Sequence, residues 1–352
     1  MARPASAVGL RAVAALALLL SAGCSRVVLP SNSSSASSVV TPTESPTSTA
    51  SPTGIVSASP VVTPTASPDH GTVVMAAGDI ACDPSDPNFN AGKGTSSRCR
   101  QEDTAKLLSI ADLILPLGDN QYECGGMAAY QSSFDRSWGV FKARMRPTLG
   151  NHEHLVAEGP TRIGTGCHAT QLPAGFFSYF GSTAPAGAYS FDVGGWHFAT
   201  VDSTCDPSGC LAQAKWLRGD LAAHPTLCSL VYYHHPRWSS GEQGNHPQAD
   251  PFWRVAMAAG VEVILNGHDH DYERFAPMDA NGLASSAGMR EFVVGTGGRD
   301  HTPIDLIQPN SEVRNADTFG VLRLTLHAAS YTWQFLPIAG QSFTDRGSGS
   351  CH

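Results

Sequence analysis

The sequence predicts an α/β fold, and two features of the chain support this prediction. Short apolar runs alternate with stretches that have helical apolar spacing. Several of the apolar runs end directly in a polar cluster that contains glycine, aspartate, asparagine or histidine. Ligand sites in open α/β sheets form at the carboxyl ends of the strands. The same pattern therefore predicts one functional site along an edge of the sheet.

The individual elements follow from the apolar periodicity, beginning near Gly71. The segment 188–202 reads as a hairpin that turns at Gly194-Gly195, and the tail 319–336 alternates like antiparallel strands. The remaining elements are strands at 72–77, 113–117, 229–233 and 261–265, and helices at 102–111, 211–221 and 250–259.

Composition limits the classes of function. The chain has 352 residues, 41% of them hydrophobic, which is enough for a substantial core. Its formal net charge of -8 argues against nucleic-acid binding, because affinity for a phosphate backbone requires a basic surface. An acidic protein accepts an anionic substrate only where local positive charge, such as a metal ion, reverses the field within the site.

The first residues have the pattern of a secretory signal. Arg3 and Arg11 precede the apolar run 13–20, and small residues lead to Cys24. This junction resembles a bacterial lipobox, although Leu20 stands four residues before the cysteine. We therefore expect a signal peptide over 1–23 and a secreted lipoprotein, tethered by lipidated Cys24 to the outer face of a bacterial cell membrane. Ordinary signal-peptidase cleavage is the alternative.

A low-complexity segment separates this signal from the folded region. Residues 31–68 are nearly all Ser, Thr, Pro, Ala and Val, with Glu44 as the one charged residue. Such a composition cannot bury enough apolar surface to offset the entropy cost of ordering. We expect a disordered Ser/Thr/Pro stalk over 24–70 that carries the catalytic domain, 71–352.

Cysteine usage agrees with export. With Cys24 assigned to lipid, eight cysteines remain, and an even number in an exported domain indicates disulfides. Cys205 and Cys210 flank a tight stretch and form the pair with the clearest case. A cysteine-ligated zinc site is the competing interpretation, but no CxxC spacing supports it.

Chemistry concentrates in separated polar clusters that supply carboxylate, amide and imidazole groups. These are the ligand types preferred by iron, zinc and manganese. Each cluster alone has an ordinary explanation: Asp79 could cap a helix, Asn151 could occupy a turn, and a histidine could pack in the core. Their conjunction predicts a metal site. The clusters are Gly78-Asp79, GDNQY (118–122), GNHE (150–153), HHP (234–236) and GHDH (267–270).

Together, GDNQY, GNHE, VYYH and GHDHDYER resemble the calcineurin-like metallophosphoesterase superfamily, and within it the purple acid phosphatases, over residues 74–336. The resemblance implies a two-sheet metallophosphoesterase sandwich with αββα layers. One departure is informative. Most superfamily members carry a histidine ligand where this chain has Ala81, and Tyr122 in a GDxxY pattern would replace it as a phenolate. The alternative is a tyrosine that only packs.

The resemblance also implies a dinuclear metal centre. The first metal would be Fe(III), and the second Fe(II), Zn(II) or Mn(II). Asp119 would bridge the two ions. Carried over by motif, the first metal would take Asp79, Tyr122 and His270, and the second would take Asn151, His234 and His268.

Two further histidines carry expected catalytic roles. His152 would donate a hydrogen bond or proton to the phosphate or to its leaving group. His246 lies in the loop where plant-type members carry a substrate-contacting histidine, although 241–246 could be a flexible loop. His235, Glu153 and Asp269 are expected to support the ligands and not to bind metal.

Three functions are open at this point. The first is acid phosphatase-like hydrolysis of small phosphate monoesters by a metal-bridged hydroxide. The second is a phosphodiesterase or nucleotidase that uses the same metals, because motifs do not encode the shape of a pocket. The third is a surface binding protein that keeps the fold without catalysis.

Overall fold

The computed structural model describes residues 70–162, 165–169 and 173–352, with the side chains of 156–172 outside the description. The expected signal peptide, the lipidation at Cys24 and the stalk up to residue 69 lie outside the described residues. No helix in the described ranges is both long enough and apolar enough to cross a membrane.

The described strands and helices have the following bounds. The helices are α1 (Gln101–Ala105), α2 (Met127–Ser132), α3 (Ala174–Phe180), α4 (Pro207–Ala223) and α5 (Asp250–Ala258). The strands are β1 (Thr72–Ala77), β2 (Leu113–Pro116), β3 (Leu155–Arg162), β4 (Thr165–Ala169), β5 (Tyr189–Val193), β6 (Trp196–Thr200), β7 (Ser229–Tyr232), β8 (Val263–Asn266), β9 (Tyr272–Phe275), β10 (Arg290–Val294), β11 (Ser311–Asn315), β12 (Gly320–His327), β13 (Ser330–Pro337) and β14 (Arg346–Ser350).

The strands form two large sheets and one small one. The first sheet has the order β14-β13-β12-β1-β2, and only its β1–β2 pair is parallel. The second sheet has the order β11-β9-β10-β8-β7-β6-β5, with the parallel strands β6, β7, β8 and β10 in the middle. β3 and β4 pair separately.

The core has two layers. One cluster of buried side chains joins both sheets, for example Leu324 of β12 with Leu265 of β8. A second cluster joins alternate residues of the second sheet, such as Ile264, to Leu217 of α4 and Trp253 of α5. The predicted two-sheet α/β sandwich is therefore confirmed.

Most predicted elements are present, and one differs in kind. The expected helix over 102–111 is α1 followed by a 3-10 helix, Lys106–Ile110. A 3-10 helix has three residues per turn, and the buried residues Ala105, Leu108 and Ala111 recur at that interval. The tighter winding therefore keeps this apolar face inward up to the start of β2.

Disulfides close both short and long loops in the described residues. They link Cys82 to Cys99, Cys205 to Cys210 and Cys228 to Cys351, and Cys124 is also disulfide-bonded. The predicted Cys205–Cys210 pair is confirmed. The Cys228–Cys351 bond spans 123 residues and fixes the end of the chain to the strand β7 region.

A buried carboxylate ties the two large sheets together. Asp345, just before β14, accepts hydrogen bonds from Tyr272 Oη at 2.8 Å and Arg274 Nε at 2.6 Å, both on β9 of the other sheet. It also accepts one from Trp333 Nε1 of β13 at 3.0 Å. Burial raises the pKa of Asp345, but the hydrogen bonds from Arg274 and Tyr272 outweigh it, and the pKa is lowered.

We expect Asp345→Asn to lower the free energy of unfolding by about 2 kcal/mol at pH 7, because the carboxylate hydrogen bonds are charge-assisted. A carboxyl with a lowered folded pKa stabilises the fold above its unfolded pKa of about 3.9, and this contribution is lost as the pH falls further. The difference between wild type and variant should therefore shrink below about pH 4. Urea unfolding of both proteins at pH 7 and below about pH 4 measures this difference in stability. Asp317→Asn, which changes an exposed carboxylate, is the control. Equal stability of Asp345→Asn and wild type at pH 7 would contradict the assignment.

Candidate metal centre

The predicted ligand residues meet because the strands that precede them end at the same place. Asp79 follows β1 and Asp119 follows β2, and these strands are parallel neighbours. His234 follows β7 and His268 follows β8, which are also parallel neighbours. Carboxyl ends of parallel strands lie at one edge of a sheet, and the two edges face each other here.

The first group of side chains surrounds the phenol of Tyr122. Tyr122 Oη lies 2.7 Å from Asp79 Oδ1, 3.0 Å from Asp119 Oδ2 and 3.0 Å from His270 Nε2. His270 Nε2 is also 3.3 Å from Asp79 Oδ1. Metal–ligand bonds of about 2.0–2.2 Å place neighbouring ligand atoms about 3 Å apart, so this spacing suits one cation.

The second group surrounds Nε2 of His234. This atom lies 3.4 Å from Asp119 Oδ2, 3.2 Å from Asn151 Oδ1 and 3.3 Å from His268 Nδ1. The single atom Asp119 Oδ2 thus faces both groups, where a bridging carboxylate would stand. The structure brings all of the predicted ligands together; their role as ligands remains a prediction.

The backbone is shaped to allow this approach. Asp79, Asp119 and His268 have positive φ angles of 59°, 47° and 75°, a conformation that costs non-glycine residues energy and clusters at functional sites. A Cβ on Gly150 would lie 2.2 Å from Asp119 Oδ1, and one on Gly118 would lie 2.5 Å from His234 Nδ1. Only glycine fits at these two positions.

Hydrogen bonds outside the cluster orient the two histidine rings. His234 Nδ1 lies 2.9 Å from the carbonyl oxygen of Leu117, and His270 Nδ1 lies 2.6 Å from Asp300 Oδ1. Because Nδ1 donates to oxygen in each case, Nε2 is the nitrogen that faces the cluster, and it would offer its lone pair to a metal once its proton is lost. Asp300 was not predicted as a site residue, since nothing in its local sequence pattern marks it as a partner of His270.

The charges of the cluster favour a bound cation. Burial alone would lower the pKa of His270, but the carboxylates of Asp79 and Asp300 outweigh this effect and raise it to about 10. Asp119 in the same way raises the pKa of His234 to about 9 against the effect of burial. The carboxylates thus draw positive charge onto the imidazoles, and metal binding would replace those protons with metal charge.

His152 stands at the edge of this cluster with a fixed ring. Its Nδ1 lies 2.6 Å from the carbonyl oxygen of Glu123, and its ring centroid lies 4.2 Å from that of Tyr122. His152 Nε2 is 3.8 Å from Asp119 Oδ2. Nδ1 is therefore the donor to Glu123, and Nε2 is the atom presented to the centre.

His246 reaches the second group through ring contacts. Its ring centroid lies 4.8 Å from that of His268 and 4.5 Å from that of His235. Burial, with a smaller effect from His234, lowers the pKa of His246 to about 4, so its ring is neutral at neutral pH. Asp269 holds the preceding loop by accepting from Gln243 N at 2.8 Å and from the Ser239 hydroxyl.

Two other residues make hydrogen bonds beside the ligand groups. Glu153 is buried and accepts hydrogen bonds from Asn120 N, Gly150 N and Tyr130 Oη at 2.9, 2.8 and 2.9 Å. It therefore ties the two ligand loops to each other. His235 Nδ1 lies 2.9 Å from Ser203 Oγ.

Comparison with known proteins identifies the family of the chain. Residues 73–272, more than half of the chain, match the family described as Calcineurin-like phosphoesterase. The chain belongs to the calcineurin-like phosphoesterase family. This is a family of hydrolases.

Plant and fungal acid phosphatases are among its curated relatives. Purple acid phosphatase 15 of Arabidopsis thaliana is 29% identical over 46% of this chain and 36% of its own length. Purple acid phosphatase 21 of the same plant is 30% identical over 47% and 42%. An acid phosphatase of Aspergillus ficuum is 29% identical over 30% and 18%. The chain thus spans less than half the length of these relatives.

Solved structures show the same fold. A purple acid phosphatase from yellow lupin seeds superposes with a TM-score of 0.57 at 19% identity, over 79% of this chain and 53% of that one. The Plasmodium protein GAP50, described as an anchor in the inner membrane complex, superposes with a TM-score of 0.52 at 14% identity, over 78% and 88%. The fold therefore occurs in an enzyme and in a protein described as an anchor.

We expect Asp119→Ala to lower the bound metal from two ions per chain to one or none, because both ligand groups lose their shared oxygen atom. Elemental analysis of the purified full chain after dialysis measures this loss. Glu242→Gln, which changes an exposed carboxylate, is the matched control and should retain wild-type metal. Full metal content in Asp119→Ala would exclude a shared carboxylate.

Proposed function

We propose that this protein hydrolyses phosphate monoesters at a dinuclear metal centre, in the manner of an acid phosphatase. The observation that carries the proposal is the position of Asp119 Oδ2. It lies within 3.4 Å of both Tyr122 Oη and His234 Nε2, the central atoms of the two ligand groups. One carboxylate oxygen shared by two ligand groups would allow two metal ions to lie side by side, about 3.5–4 Å apart, as two-metal catalysis needs.

The donor atoms suit the metals that the sequence predicts. Asp79, Tyr122 and His270 would hold Fe(III), since a hard cation stabilises the phenolate of Tyr122. Asn151, His234 and His268 would hold Fe(II), Zn(II) or Mn(II), with Asp119 common to both. Bound there, the two ions would neutralise phosphate charge. They would also lower the pKa of water, so that hydroxide is available to attack phosphorus.

The protein's own contribution to the reaction centres on His152. Glu123 fixes the imidazole with Nδ1 as donor, so Nε2 is directed toward the space in front of Asp119. From that position an imidazolium, protonated on both nitrogens, would hydrogen-bond the phosphate through Nε2–H and give that proton to the departing alkoxide, leaving a neutral ring with its proton on Nδ1. The ring of His152 also packs against that of Tyr122, which places it beside the first ligand group.

His246 would act as a neutral hydrogen-bond donor to the substrate. Its ring contacts His268 and His235 on the side of the second ligand group. A neutral imidazole binds a phosphate oxygen without adding a fixed charge, and so limits the affinity for the phosphate product. Between them, His152 and His246 would flank the substrate from both ligand groups.

The monoester assignment is supported by the acid phosphatases among the relatives. The alternative is a phosphodiesterase or nucleotidase that uses the same residues. Binding without catalysis is the other alternative, since the fold also occurs in a protein described as an anchor. The ligand groups favour catalysis because a pure binding role does not require buried metal-binding side chains.

Export is part of the same proposal. The disulfides Cys82–Cys99, Cys205–Cys210 and Cys228–Cys351 agree with an oxidising compartment outside the cytoplasm. We propose that the mature protein is tethered to the outer face of a bacterial membrane by lipid on Cys24. The substrates would then be small phosphate esters outside the cell.

We expect His152→Ala to lower kcat for p-nitrophenyl phosphate by about 10²–10³-fold, because the leaving group loses its proton donor. Metal content should stay at the wild-type value, since His152 is not among the ligands. Steady-state kinetics of the full chain, with Glu242→Gln as control, measure the effect. An unchanged kcat would remove His152 from the mechanism.

The same assay separates the candidate functions. Hydrolysis of p-nitrophenyl phosphate with a higher kcat/KM than bis-p-nitrophenyl phosphate supports the monoesterase. The reverse order supports the phosphodiesterase. A metal-loaded chain that hydrolyses neither ester contradicts the enzymatic proposal and leaves the binding protein.

A further inference from the structure

A partly buried ionic cluster lies beside the first ligand group and is not explained by metal binding or by the catalytic histidines. Its members come from three separate segments of the chain, and two of the member side chains are positively charged arginines. We call this group the Arg299 cluster: Arg98, Arg299, Asp86, Glu123 and Asp300.

Arg299 is at the centre of the cluster. It is 5% exposed. Its Nη2 pairs with Glu123 Oε1, and its Nη1 lies 3.3 Å from Asp86 Oδ2 and 3.7 Å from Asp300 Oδ2. Its Cζ lies 4.9 Å from the ring centroid of Tyr122. One guanidinium therefore contacts three carboxylates and the phenol ring.

Two of these contacts lead directly to functional side chains. Glu123 accepts the Nδ1–H of His152 on its backbone carbonyl, while its carboxylate is held by Arg299. Asp300 accepts the Nδ1–H of His270 on Oδ1, while Oδ2 faces Arg299. Arg299 is thus linked to His152 through Glu123 and to His270 through Asp300.

The backbone around Arg299 is also fixed. Arg299 N donates to the carbonyl oxygen of Asp79 at 2.9 Å, and the carbonyl oxygen of Arg299 accepts from Cys99 N at 3.0 Å. Cys99 is disulfide-bonded to Cys82. The loop that this disulfide closes supplies both Asp86 and Arg98. The cluster therefore fastens a closed loop to the backbone of a predicted ligand.

Arg98 provides an internal comparison. It pairs with Asp86 at 3.3 Å and with Asp300 at 3.0 Å, so it shares two carboxylates with Arg299. Its side chain is 33% exposed. The structure shows Arg299, and not Arg98, in contact with Glu123 and with the ring of Tyr122.

Guanidinium geometry explains why arginine occupies position 299. Its N–H groups form a rigid planar fork that addresses several carboxylates at once and stacks on an aromatic face. Lysine would keep the charge but would offer a single ammonium. Two arginines against three carboxylates give the cluster one excess negative charge, and loss of Arg299 would remove a counter-charge from half-buried Glu123 and from buried Asp86.

We propose that Arg299 is a positioning residue that holds Tyr122, His270 and His152 in one fixed arrangement. The inference rests on the proposed function, because it assigns Tyr122 and His270 to the first metal and His152 to the leaving group. Arg299 acts through Glu123, Asp300 and the ring of Tyr122, and it touches neither metal nor substrate. Its function is to hold His152, the proton donor, at a fixed position relative to the first ligand group.

The test compares Arg299→Gln, Arg299→Lys and Arg98→Gln in the full chain. Arg98→Gln is the comparison variant, since it removes the same charge and a contact with Asp300 but leaves the contacts of Arg299 with Glu123 and with the ring of Tyr122 in place. Each variant is assayed for kcat and KM on p-nitrophenyl phosphate. Elemental analysis at increasing concentrations of a chelator gives the retention of each metal equivalent.

For Arg299→Gln we expect kcat to fall about 10–100-fold, and one metal equivalent to be lost at about 10–100-fold lower chelator concentration, as for other residues that orient metal ligands. KM should stay within about threefold. Arg299→Lys should recover part of kcat, because it restores the charge and not the fork. Arg98→Gln should keep kcat within about threefold of wild type, because Glu123, and with it His152, keeps its contact with Arg299.

Several results would overturn the proposal. Equal losses in Arg299→Gln and Arg98→Gln would show that the cluster only stabilises the fold. An unchanged kcat and metal retention in Arg299→Gln would exclude positioning. If Arg299→Gln does not fold, Glu123→Gln is assayed in its place and should also lower kcat. An unaltered kcat in Glu123→Gln would contradict the proposal.

The failure of the proposed function looks different. A wild-type chain that binds no metal and hydrolyses neither ester would refute the proposed function, and the positioning role would fall with it. A metal-loaded, active wild type with an unaffected Arg299→Gln refutes the positioning role alone.

Discussion

The carboxylate of Asp119 is the constraint on which the site depends. Its Oδ2 must face Tyr122 Oη and His234 Nε2 together, while its Oδ1 accepts the backbone N–H of His152 at 2.8 Å. Such convergence requires a positive φ at Asp119 and leaves no room for a side chain at Gly150. The parallel pairing of β1 with β2 then brings Asp79 to the same place.

This arrangement is costly without bound cations. Asp79 and Asp119 are both buried beside one another, and buried carboxylates of like charge repel strongly in a medium of low dielectric. The histidines relieve part of the repulsion, which is why their pKa values are raised. Cations would relieve the rest, and they would supply the local positive field that an anionic substrate needs in a chain of net charge -8.

Sequence reasoning succeeded where the signal was local. The apolar runs before Asp79, Asp119 and His268 predicted buried strands, and polar groups at strand ends predicted a site at one sheet edge. The choice of ligand residues came from the family resemblance and not from periodicity. Those residues do converge, because the motifs mark the loops that the parallel strands bring together.

The features that were missed depend on contacts between distant residues. Strand β9 was not predicted because its Glu273 and Arg274 are polar yet buried. Their partners are Ser240 and Asp345, which lie far away in the chain. Asp300 gives no sequence signal for the same reason, since its partner His270 lies 30 residues away.

Local sequence signals such as helix caps and turns do not predict these pairs. A charged side chain is stable in the interior only where the tertiary structure places a partner beside it. The 3-10 winding after α1 belongs to the same class. Its reason, the packing of Leu108 against the core, appears only once the sheets are assembled.

Anomalous X-ray diffraction from crystals of the metal-loaded full chain tests the central claim most directly. We expect two peaks about 3.5–4 Å apart, one on each side of Asp119 Oδ2. The peak beside Tyr122 should strengthen across the iron absorption edge. A single peak, or two peaks that do not share Asp119, would contradict the dinuclear centre. Two peaks without an iron signal beside Tyr122 would leave that centre standing and refute the assignment of Fe(III).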